Sequence, residues 1–66
     1  MSGKIIQMID KLIELKSGGN PTVATTTRTK LILKGINPQK YDSHSDDDPE
    51  VIAKIRSVAT EMGITL

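Results

Sequence analysis

Apolar residues recur at helical spacing in two clear stretches of the chain and one ambiguous one. Near the start, Ile5, Met8, Ile9 and Leu12 follow the i, i+3, i+4, i+7 rule of a single helix face. Ile6 and Ile13 widen that stripe, while Lys4, Gln7, Asp10, Lys11 and Glu14 fall mostly on the other side. The spacing predicts a helix over 3–17, with Ser2 as its N-cap. The run Ser17-Gly18-Gly19-Asn20-Pro21 stops it, because glycine admits left-handed backbone and proline cannot continue the hydrogen-bond ladder.

A third stretch has sharper boundaries than the second. Asp48 is a good N-cap, Pro49 suits the first helical position, and Glu50 suits the positive end of the helix dipole. Val51, Ile55, Val58 and Met62 then line one face, and Gly63-Ile64 closes the helix, predicted over 48–62. The middle stretch reads two ways. Thr25, Thr26, Thr27 and Thr29 are β-branched and favour extended backbone. A lone strand has no partner, however, since no other segment alternates over a usable length. Ala24, Arg28, Leu31 and Ile32 approximate a helix face, and Gly35-Ile36 repeats the Gly-Ile ending of the third segment. The prediction is a helix over 24–34.

The expected fold is therefore all-α: a small three-helix bundle with a long polar loop between helices 2 and 3. Its expected core is Ile5, Ile9, Leu12, Ile13, Leu31, Ile32, Val51, Ile55, Val58 and Met62. The linking stretch starts with a turn at Asn37-Pro38, passes Tyr41 as a packing residue, and becomes polar throughout over 42–47, where it should be exposed and mobile.

Size limits what this fold can hold. The chain has 66 residues, so residues 1–66 are expected to form one small helical domain. Such a mass buries roughly 60% of its unfolded surface, enough for one modest core. With no cysteine, disulfides and thiolate zinc sites are excluded, and a lone His44 excludes a multi-histidine metal site. No apolar run is long enough to span a membrane, and the charged N-terminal stretch does not resemble a secretory signal, so a cytoplasmic location is expected.

Charge is divided between the halves. Residues 1–40 hold seven basic and two acidic side chains, and residues 41–66 hold two basic and six acidic ones. The acidic loop fails as an EF-hand, because counting from Asp42 puts Asp47 at position six and Ala53 at position twelve. His44 lies in the wettest stretch, where nothing shelters an acid–base pair. Gly18-Gly19 lacks the following Lys-Ser or Lys-Thr of a phosphate-binding loop. Neither a metal, a cofactor nor a catalytic residue is expected.

Two binding readings remain. The apolar arc of the first helix is wide, and Met8 with Leu15 would form an outward seam for another protein or for a second copy in a homodimer. Alternatively, Arg28, Lys30 and Lys34 would contact nucleic-acid phosphates. Against the latter stand a single aromatic residue and helix connections longer than a helix-turn-helix uses. The expected function is that of a small non-enzymatic protein-interaction or regulatory module. Its possible partner-binding residues are Met8, Leu15, Arg28, Lys30 and Lys34. Weak nucleic-acid binding is the alternative, and no membrane partner is expected.

Overall fold

The computed structural model describes residues 3–66, and Ser2, read above as a cap, lies outside them. Among the described residues the order is α1 (Lys4–Ser17), α2 (Pro21–Leu33), a short 3-10 turn (Pro38–Lys40) and α3 (Pro49–Glu61). There is no strand among them, so the middle stretch takes the helical alternative. The protein is an all-α three-helix bundle. α1 is its centre, packed by α2 and by α3, while the 3-10 turn rests on α2.

Aliphatic side chains from all three helices meet in the core. Ile5, Ile9, Leu12 and Ile13 of α1 close on Leu31 of α2 and on Ile55, Val58 and Ala59 of α3, with Ile36 added from the chain beyond α2. Val51 and Met62 pack on the edge, partly buried. Ile32 departs from the expected core: it is 53% exposed. The reason is angular. On α2 the inward residues are Ala24, Thr27 and Leu31, spaced three and four apart, and Ile32 lies a further 100° or so round the helix. Thr27 takes an inward place because its hydroxyl donates to the Val23 carbonyl at 2.8 Å, and among the described residues no buried side-chain nitrogen or oxygen is unpaired.

Two helix ends use the same device. The Ile36 N–H donates to the Leu31 carbonyl and the Gly35 N–H to that of Ile32; Ile64 and Gly63 do the same to Ala59 and Thr60. These are Schellman closures, and the residue after each glycine folds back on the core. Both glycines have positive φ.

α2 begins three residues earlier than expected. Asn20 is its N-cap, accepting the Thr22 and Val23 N–H groups at 2.9 and 3.3 Å, with Pro21 at the first helical position. The α1–α2 connection is thus only Gly18, Gly19 and Asn20, shorter than the sequence suggested.

The polar loop is exposed for most of its length, and it is also tethered. Within it, Asp42 Oδ1 accepts the His44 N–H and Ser45 Oγ accepts the Asp42 N–H. Two further bonds reach the start of α1: the Gly3 N–H donates to the Ser45 carbonyl at 3.2 Å, and the Lys4 N–H donates to Asp47 Oδ1 at 3.0 Å. Asp47 therefore supplies the capping oxygen that Gly3, the residue at the N-cap, has no side chain to provide. The approach needs glycine there, because a Cβ on Gly3 would lie 3.1 Å from the Ser43 carbonyl oxygen and φ is +88°.

Candidate interaction surface

The sequence-selected residues do not form one patch. On α1, Met8 and Leu15 share an edge, being seven residues apart. Met8 is partly buried against the core and faces a groove closed on its other side by Thr65 and Leu66. Leu15 lies farther along and is 48% exposed.

The basic residues all belong to α2 or its end, and each has a different setting. Arg28 shares the cleft between α1 and α2 with Asp10 and Glu14. Lys34, the C-cap, forms an ion pair with Glu61 at 3.0 Å. Lys30 is exposed and lines a shallow groove with Leu33, Lys34, Glu61 and Met62. The pair to Glu61 is half-exposed, so it contributes about 0–1 kcal/mol and mainly orients Lys34.

What sequence reasoning missed is the apolar content of this same surface. Ile32 is half exposed and Leu33 is 80% exposed, side by side at the end of α2. The signal was present: once Leu31 and Thr27 are assigned inward, a helix turns Leu33 some 200° away from Leu31. The outward face of α2 then reads Thr22, Thr25, Thr26, Thr29, Ile32 and Leu33, at spacings of three, four and seven, and all six are exposed. The threonines are less polar than their names suggest. Thr25, Thr26 and Thr29 donate their hydroxyls to the carbonyls of Pro21, Thr22 and Thr25 at 3.0–3.1 Å. Their donors are spent on their own helix.

Arg28 and Lys30 stand on the two edges of this stripe, and α2 contains no acidic residue. Asp10, Glu14 and Glu61 lie near these cations, and the other acidic side chains belong to the loop and the start of α3. Asp42, Asp47 and Asp48 of the loop accept backbone N–H groups, Asp48 serving as N-cap of α3 through the Glu50 N–H. Among the described residues no group of acidic or histidine side chains has the arrangement of a metal site.

These features define an all-α three-helix bundle that turns a cation-edged, partly apolar helix face to solvent. No family model matches the chain, and neither a curated protein nor a solved structure is significantly similar to it. No helix among the described residues is long and apolar enough to cross a membrane.

Proposed function

We propose that this chain is a small, non-enzymatic protein-interaction module of the cytoplasm, and that it binds through α2 rather than through the α1 seam. The observation that carries this reading is the adjacent exposure of Ile32 and Leu33. Two neighbouring aliphatic side chains left in water at the end of a helix are a favourable anchor for a partner surface. On α1, by comparison, Met8 is already engaged, and among the described residues of that helix Leu15, 48% exposed, is the one large hydrophobic left exposed. A non-catalytic role is supported by how the polar side chains are used: Asn20, Asn37, Asp42, Asp47 and Asp48 all serve as caps or turn acceptors.

The test is a comparison of the parent with Leu33→Glu. Both are used as bait in extract from the native host, and light scattering gives their oligomeric state. A defined protein retained by the parent and lost by the variant supports the reading. Identical retention by the two, or retention of nothing, counts against it.

Nucleic-acid binding is a second reading, and the short α1–α2 turn favours it. A three-residue connection containing glycine has the length that helix-turn-helix units use. In such units the N-terminal residues of the second helix meet the bases. Here those residues are Pro21, Thr22 and Thr25, without charge, while Arg28, Lys30 and Lys34 cluster at the other end among Ile32 and Leu33. A gel shift at low salt that weakens steeply as salt is added would support it.

A further inference from the structure

We draw no further inference here: the strongest candidate, the groove between α1 and residues 65–66 lined by Lys4, Gln7, Met8, Lys11, Thr65 and Leu66, carries none because nothing in the structure shows what covers it.

Discussion

α1 and α2 are similar in length and lie next to each other in the chain, yet they use their apolar residues in opposite ways. α1 buries Ile5, Ile9, Leu12 and Ile13 against both neighbours. α2 buries Leu31 and a threonine, and leaves two of its largest aliphatic side chains, Ile32 and Leu33, in solvent. Hydrophobicity alone did not decide which side chain goes inside. Angular position did, once Asn20 had set the start of α2 and the Leu31–Ile36 closure had set its end. The two helices also differ in what makes them helical. α1 is rich in good helix formers and presents an aliphatic stripe. α2 is rich in threonine, which bonds back to its own carbonyls and gains little from propensity, so its helix depends on caps and on contact with α1.

The sharpest way to break this comparison is one deletion made in each helix. Leu12→Ala should cost about 2–5 kcal/mol, because Leu12 is wholly buried and α1 is packed from two sides. A domain of this size has only about 3–5 kcal/mol to lose. A urea titration should find the variant largely unfolded in dilute buffer. A midpoint close to the parent's would mean that α1 is not the centre of the core.

Next in size is the tether at the start of α1. Gly3→Ala should cost about 1–2 kcal/mol, since alanine at a φ of +88° is strained and its Cβ would meet the Ser43 carbonyl. Asp47→Ala should cost about 0.5–2 kcal/mol, the range for losing a capping oxygen. Hydrogen exchange distinguishes the tether from a general loss of stability. In Asp47→Ala the first turn of α1 should exchange faster while the Ile55 and Val58 amides keep their protection. Uniform loss across α1 and α3 would refute a local cap.

For α2 the corresponding cap is Asn20. Asn20→Ala should cost about 1 kcal/mol, read as a lowered melting temperature, and Asn20→Asp should restore most of it. If helicity of residues 21–27 survives Asn20→Ala with no change in melting, the short α1–α2 turn does not set the start of α2.

Much of the fold was legible from residue spacing, and the misses have particular causes. α1 and α3 were readable because their aliphatic residues repeat at helical spacing, and because Asp48-Pro49 is a strong start signal. Asn20-Pro21 is the same signal, but behind two glycines it reads as a stop, which displaced the start of α2 by three residues. Ile32 was assigned inward because Leu31 and Ile32 are equally apolar, and five threonines hide which side of α2 faces α1. Ile36 was legible as part of a Gly-Ile closure without being read as core, and Ala59 was not read as core either. The bond from Lys4 to Asp47 spans 43 residues, and no local pattern announces a contact of that range. Of the candidate surface, Arg28, Lys30 and Lys34 were visible as a basic segment. Its apolar anchor was not, since that depended on the orientation of α2.

The smallest expected effect is the other half of the opening pair. Leu33→Ala removes the same atoms as Leu12→Ala, but from a side chain that is already 80% exposed. About a fifth of the side chain is out of water, so the lost burial is worth a few tenths of a kcal/mol, and alanine's better helix propensity returns a similar amount. The urea midpoint should stay within about 0.5 kcal/mol of the parent's. A loss above about 1 kcal/mol would place Leu33 among the packed residues and erase the contrast between the helices. If stability holds while retention of a partner protein falls, the exposure of Leu33 serves recognition, and α2 differs from α1 because its outer face is left for a partner.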